Sequence, residues 1–166
     1  MADIHGFPPI AGAKATLLIL GSMPGRESLD RQRYYAHPRN AFWPIMDTLF
    51  DLAEAGYEVR ARELADKGVA VWDVMQACFR PGSLDSNIDD RTIVANDFRS
   101  FFESHPGIAR IFFNGAKAES VYRKTVLPQL GPEHAGLPMA RLPSTSPAHA
   151  GMSLEEKIQA WKIVRD

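Results

Sequence analysis

A three-layer α/β/α fold with a central four-stranded parallel sheet is what this sequence predicts, and three observations predict it. Short apolar runs such as Ala15-Thr-Leu-Leu-Ile-Leu20 alternate with segments whose apolar residues fall three and four apart, the mark of strands alternating with helices. The runs are nearly all apolar rather than alternating, as strands buried on both faces are. No internal repeat or low-complexity linker interrupts the 166 residues, so 1–166 is read as a single domain of ordinary size.

The first strand ends at Gly21, and a glycine- and arginine-rich loop runs from there to about Asn40. A helix follows, with Ile45, Met46, Leu49, Phe50 and Ala53 on its apolar face. Pro44 fits only the first turn of that helix, which leaves Asn40 in the loop or at the cap. A short charged helix, about Glu58 to Lys67, precedes Gly68 and a second strand, Val69 to Trp72, ending at Asp73. Arg80 to Asn87 is a polar loop of turn-forming residues. Asp89 or Asp90 is expected to cap a helix with Val94, Phe98, Phe101 and Phe102 on one face. Ile108 to Phe113 is the third strand, stopped by Asn114-Gly115, and a helix from Ala116 to about Val126 follows. Ala140 to Leu142 is a short fourth strand. Ser153 and Glu156 are spaced as a capping box for a last helix bearing Leu154, Ile158 and Trp161.

Composition narrows the chemistry. Cys78 is the single cysteine, so an internal disulfide and a cysteine-held iron–sulfur centre are both excluded. The histidines lack metal-ligand spacing, and neither a metal nor any other cofactor is expected. No apolar run approaches the ~20 residues of a membrane span, and no secretory leader is evident. The chain is therefore read as cytoplasmic and monomeric, with no membrane partner. Net charge is −1, which does not announce a nucleic-acid binder. Between Ser22 and Trp43, however, four arginines (Arg26, Arg31, Arg33, Arg39) face two acids (Glu27, Asp30). Two readings of that cluster stand: a local patch for phosphates and a solvated mixed-charge loop.

In parallel α/β sheets ligands bind beyond the carboxyl ends of the strands. Those ends carry Gly21-Ser-Met-Pro-Gly25, Asp73, Asn114 and the Ser144–His149 stretch. The glycine turn lacks the third glycine of a dinucleotide site and the lysine of a P-loop. The segment Tyr34-Tyr-Ala-His-Pro-Arg-Asn-Ala-Phe-Trp43 is more specific. Together with the preceding Gly-Ser-Met-Pro-Gly, it resembles the mismatch-specific uracil/thymine DNA glycosylases of the uracil-DNA glycosylase superfamily. Those carry Gly-x-Asn-Pro-Gly, then an aromatic followed by Ala-His-Pro-x-Asn-x-Phe-Trp. Pro143-Ser-Thr-Ser-Pro-Ala-His149 is similar to a second signature loop of that superfamily, and Gly68 to Asp73 with Asp85-Ser-Asn87 to its base-recognition segment. The chain departs from the mismatch-specific pattern at Met23, where a water-positioning asparagine stands. A thioether cannot orient water. The hypoxanthine (deoxyinosine) branch resembles this chain more closely, carrying Gly-Ser-Met-Pro-Gly and using the later asparagine, which is Asn40 here.

The resemblance implies a DNA repair glycosylase, acting on DNA that contains a deaminated base, hypoxanthine first and uracil or xanthine also considered. It implies Asn40 as the catalytic residue, though an asparagine there can also simply cap the helix. Tyr35 is placed to stack on a flipped base or to pack the loop onto the core, and Tyr34 shares that ambiguity. Asp73 either reads the base edge or caps the next segment. Ser22, Met23, Pro24 and Gly25 are assigned to the substrate pocket, Met23 through its backbone. Ser144, Ser146 and His149 join them, and Arg39, Thr145, Pro147 and Ala148 are assigned to the DNA strand. The competing reading for Thr145 and Ser146 is a turn entering the last helix. His37 and Pro38 are read as loop braces, Phe42 and Trp43 as core anchors, and Asn114 as a turn residue. Three functional alternatives remain: a uracil- or mismatch-preferring glycosylase, a catalytically inactive lesion-binding module, and an unrelated α/β hydrolase acting on nucleosides.

Overall fold

The computed structural model describes residues 3–52 and 55–166; Ala53, expected on the first helix's apolar face, lies outside them. Its strands and helices run β1 (Ile4–His5), β2 (Leu17–Gly21), α1 (Arg26–Arg31), α2 (Phe42–Phe50), α3 (Tyr57–Asp66), β3 (Val69–Asp73), β4 (Met75–Phe79), β5 (Asp89–Ala95), α4 (Phe98–Ser104), β6 (Arg110–Asn114), α5 (Ala116–Val121), α6 (Pro132–Ala135), β7 (Met139–Leu142) and α7 (Leu154–Trp161). The main sheet has the order β3-β2-β6-β7, all parallel, as the alternation of strands and helices predicts. None of the described helices is long and apolar enough to cross a membrane.

Parallel register aligns the four strand ends. Gly21 pairs with Asp73, Leu20 with Phe113 and Asn114 with Leu142, so the polar residues that stop the strands emerge along one edge. The strands β2 and β3 are buried throughout. Helix α2 buries Phe42, Trp43, Ile45, Met46 and Leu49, with Pro44 in its first turn, and meets α7 edge-on through Phe42 and Trp161. Phe98 and Phe101 of α4 pack on Trp72 of β3. The capping box of Ser153 and Glu156 forms as its spacing requires. The helix expected from Ala116 to Val126 continues past α5 as a π-helical stretch, Tyr122–Val126.

Two expectations are corrected. Residues 89–95 are not helix but strand β5, and Asp97, not Asp89 or Asp90, caps α4 by accepting the Ser100 amide at 3.1 Å. Thr92, Ile93 and Val94 are β-branched and suit a pleated surface, and β4 supplies the antiparallel partner. The chain also forms a second sheet, β1-β4-β5, that the run-by-run reading did not foresee. In addition, the Gly21–Asn40 loop holds the short helix α1. These additions brace the site: backbone pairing continues past β2 and β3, with Val74 donating to Gly21 and Met75 to Ser22.

Candidate active site

A cavity of about 540 Å³ opens over the carboxyl edge of the main sheet, within the range of small-molecule sites. Ser22 to Gly25, Tyr35, Asn40, Asp73, Asn114 and Ser144 to His149 all line it. The structure thus brings together every residue assigned to the pocket or the DNA strand except Arg39, which lies on an adjoining groove with Asn40 and His149.

Asn40 stands one residue before the N-cap of α2, and its Oδ1 accepts the Phe42 amide at 2.9 Å. The two readings of this residue are therefore compatible. The hydrogen bond fixes the amide at the helix entrance, and a carbonyl oxygen has a second lone pair for another donor. The loop before it is held by its own groups: Arg39 N–H donates to His37 Nδ1 (3.1 Å) and Asn40 N–H to the His37 carbonyl (2.9 Å). His37 is the brace its sequence context implies, and it also lines the cavity.

The two tyrosines separate. Tyr34 is buried, its hydroxyl donating to the Pro8 carbonyl at 2.9 Å and its own carbonyl accepting Trp43 Nε1; it is a structural residue. Tyr35 adopts left-handed backbone (φ 55°), which bulky residues seldom do. Phe42 stacks on its ring at 4.1 Å and 21°; the Tyr35 hydroxyl is buried near the Asn114 side chain, without a hydrogen bond of normal geometry among the described residues.

Asp73 is 5% exposed, and its Oδ2 is likewise buried, with no hydrogen-bond partner among the described residues. Its backbone carbonyl accepts Asn96 Nδ2 at 2.8 Å, which pins the strand end. Burial, then the neighbouring Asp85 charge, push the Asp73 carboxyl up to about 7, with Arg80 opposing. Burial, reinforced by Asp73, likewise keeps the Tyr35 phenol protonated. Both side chains close on Gly21, where a Cβ would stand 2.5 Å from Asp73 Oδ1 and 2.9 Å from Tyr35 Oη. Only glycine leaves them in place. Gly21→Ala is expected to displace both groups at a cost of about 1–3 kcal/mol, read as a lower urea midpoint together with impaired turnover.

Sequence reasoning did not single out Asp85 and Arg80 as site residues. Asp85 is exposed as a residue, but its carboxyl turns to the cavity wall, where its Oδ1 accepts the Ser22 hydroxyl at 2.6 Å. Burial raises its carboxyl above the usual range, partly offset by Ser22 and Arg80. Arg80, 3% exposed, ties the loop down by donating to the carbonyls of Pro24 (2.8 Å) and Gly82 (2.9 Å). Arg80 amid turn formers gives no sign of burial, whereas Asp85 opens the Asp85-Ser-Asn87 segment that the resemblance links to base recognition, without a role of its own assigned there.

Asn114 and Thr145 are placed differently from expectation. Thr145 is 1% exposed. Its amide donates to Asn114 Oδ1 (2.9 Å), and its hydroxyl accepts Asn114 Nδ2 (3.0 Å). Its carbonyl accepts the Ala41 amide at 2.9 Å. Thr145 is thus a buried tie between β6, the last loop and the Asn40 loop, with its hydroxyl engaged by Asn114. Asn114 is the other half of that tie. Ser144 and Ser146 form serine turns, accepting the amides of Ser146 (3.1 Å) and Ala148 (3.2 Å), and they keep the loop at the cavity rim. Met23 is buried with its sulfur against Gly6.

Of the four clustered arginines, Arg31 pairs with Glu27 at 3.8 Å and Arg33 with Glu58 at 3.6 Å. Arg26 and Arg39 have no carboxylate partner recorded among the described residues, and they flank the opening. No group of three or more histidine, cysteine or acidic residues among the described residues is placed to hold a metal ion.

A sequence model of the uracil DNA glycosylase superfamily matches residues 8–165. The chain belongs to the uracil DNA glycosylase superfamily. The hypoxanthine DNA glycosylase of Methanosarcina acetivorans is 39% identical over 116 residues, 69% of this chain and 72% of that protein. The protein of the same name from Methanosarcina barkeri is 36% identical over the same shares. The solution NMR structure of a candidate uracil DNA glycosylase from Methanosarcina acetivorans superposes with a TM-score of 0.76 at 32% identity, covering 98% of each chain. This likeness extends to the whole layered fold.

Proposed function

We propose that this glycosylase excises hypoxanthine from DNA, with Asn40 positioning the attacking water. The observation that carries the reading is the convergence of two buried polar atoms without hydrogen-bond partners among the described residues, Asp73 Oδ2 and Tyr35 Oη, at the strand-end wall of the cavity. Buried polar groups without partners are rare in native proteins and call for an explanation; a bound base supplies one. Relatives that carry the hypoxanthine DNA glycosylase name support the choice of base.

A base inside a duplex is unreachable, so the nucleotide must leave the stack and enter the cavity. In the proposed complex the base lies against Tyr35, whose far face is backed by Phe42. Ionised Asp73 accepts the lactam N–H at the base edge, since a carboxylate only accepts. Adenine, with a bare ring nitrogen there, offers no such donor. Ser22 to Gly25 border the base. Asn40 Oδ1, already held by the Phe42 amide, accepts from a water beside the sugar. The bond from C1′ to the base nitrogen breaks through an oxocarbenium-like state. The water oxygen bonds to C1′, its proton is released, the base is protonated as it leaves, and an abasic site remains. Ser144, Ser146, Pro147, Ala148 and His149 hold the flanking strand at the rim, with Arg39 beside them. Nothing in these steps requires a cofactor or a second protomer.

The test uses protein in excess over end-labelled duplexes bearing one inosine, uracil or xanthine, followed by alkali to reveal abasic sites. Cleavage at inosine above the others is the expected result. Preferential cutting at uracil would replace the substrate assignment. Binding without release of free base on any duplex would make the chain a lesion-binding module.

A further inference from the structure

The main cavity leaves unexplained a buried lysine in the groove next to it. Lys157 is 5% exposed and sits in the second turn of α7. Its Nζ donates to the Ser146 carbonyl at 3.5 Å, a long contact for a hydrogen bond. No carboxylate among the described residues pairs with it. Glu156, the adjacent acid, is locked into the capping box through the Ser153 amide at 3.0 Å. Lysines are almost never this buried unless paired, and an uncompensated buried charge is costly. The cost is visible in the lysine itself, whose burial lowers its proton affinity.

Lys157 lines a groove of about 350 Å³ together with Arg39, and Asn40, Pro147 and His149 are shared between this groove and the main cavity. The groove is therefore the continuation of the active site past the proposed water-positioning residue. A strand whose nucleotide is seated in the cavity has to carry its backbone over this rim. We propose that Lys157 and Arg39 form a phosphodiester-binding site in this groove, which seats the backbone beside the flipped nucleotide. The inference rests on the glycosylase reading above. Lys157 supplies a fixed, partly desolvated charge from below, where an interaction with phosphate is less screened, and Arg39 supplies a mobile one from the surface. The Lys157 contact to Ser146 then couples phosphate seating to the loop that borders the base.

The experiment is fluorescence anisotropy of an inosine-containing duplex with the full chain, titrated between 50 and about 200 mM salt. Each phosphate contact adds about 0.9 to the slope of log K against log salt. Lys157→Gln keeps a donor for the Ser146 carbonyl but removes the charge; it is expected to lower the slope by about 1 and weaken binding at low salt. Lys157→Arg is expected to restore the slope. A loop brace would give the opposite pattern, with Lys157→Gln keeping the wild-type slope, and that outcome overturns the site. Lys157→Met provides a second uncharged variant of similar length if the glutamine variant folds poorly, and its thermal melt reports folding independently. Wild-type binding with no salt dependence would instead undo the DNA-glycosylase reading on which the site depends.

Discussion

Replacing Asn40 by alanine is expected to lower single-turnover excision of hypoxanthine by about 10²–10³-fold, the usual worth of one positioned group in a transition state. The same change removes the acceptor for the Phe42 amide, so a stability loss of about 1 kcal/mol, typical of a lost helix-end hydrogen bond, should accompany it. The two effects are separable. Duplex binding at saturating enzyme should persist, because the role proposed for Asn40 is toward water and sugar rather than the phosphates. Asn40→Asp keeps an oxygen for the Phe42 amide and should recover the stability, with activity above that of the alanine variant. If Asn40→Ala excises hypoxanthine at the wild-type rate while its melting temperature drops, Asn40 is only a helix-entry residue. The water would then have to be held by another group on the cavity wall, Asp85 being one acid that lines it.

The sequence made the parallel sheet and its working edge legible because both depend on local signals. Apolar runs that stop at Gly21, Asp73 and Asn114 specify where strands end, and parallel register does the rest. The second sheet was hidden for a physical reason. Met75 to Phe79 follows β3 after one residue, one of its pairing partners, β1, lies at the far N-terminal end of the described chain, and the other, β5, was joined by periodicity to the helix after it. Strand propensity is largely a matter of such neighbours. Val94 happens to fall in helical phase with Phe98, Phe101 and Phe102, so periodicity joined a strand to a helix that Asp97 actually begins. The site divides in the same way. Asn40, Tyr35 and Asp73 were marked by motif and strand end. Arg80 and Lys157 matter through burial and Asp85 through its bond to Ser22, none of which spacing encodes. Thr145 looked like a phosphate ligand because a hydroxyl in a polar loop is normally exposed; its bonds to Asn114 turn it inward.

Asp73 should make activity and stability move in opposite directions with pH. Its carboxyl has an ordinary value of 3.8, and in the fold it is pushed up to about 7. Between those values the folded protein holds a proton that the unfolded chain has lost, so folding stability falls as pH rises through the window. Integrated over the shift, the effect is on the order of 4 kcal/mol, because burial at 5% exposure leaves little solvent screening. The proposed base contact needs the opposite state. Only ionised Asp73 accepts the lactam N–H without competing as a donor, so excision should climb with pH up to about 7 and then level off. Asp73→Asn removes the titration at nearly constant shape. The variant should be more stable than the wild type above pH 7, with a flat pH–rate profile and a rate at pH 8 lower by about tenfold, the difference between a charged and a neutral hydrogen bond. Urea midpoints and single-turnover rates measured between pH 5 and about 9, spanning the window on both sides, test both halves together. A wild-type rate that falls through pH 7 would make the protonated carboxyl the working form, donating to the base rather than accepting from it. The strain at this strand end would then favour catalysis directly, since the fold itself already favours the neutral acid.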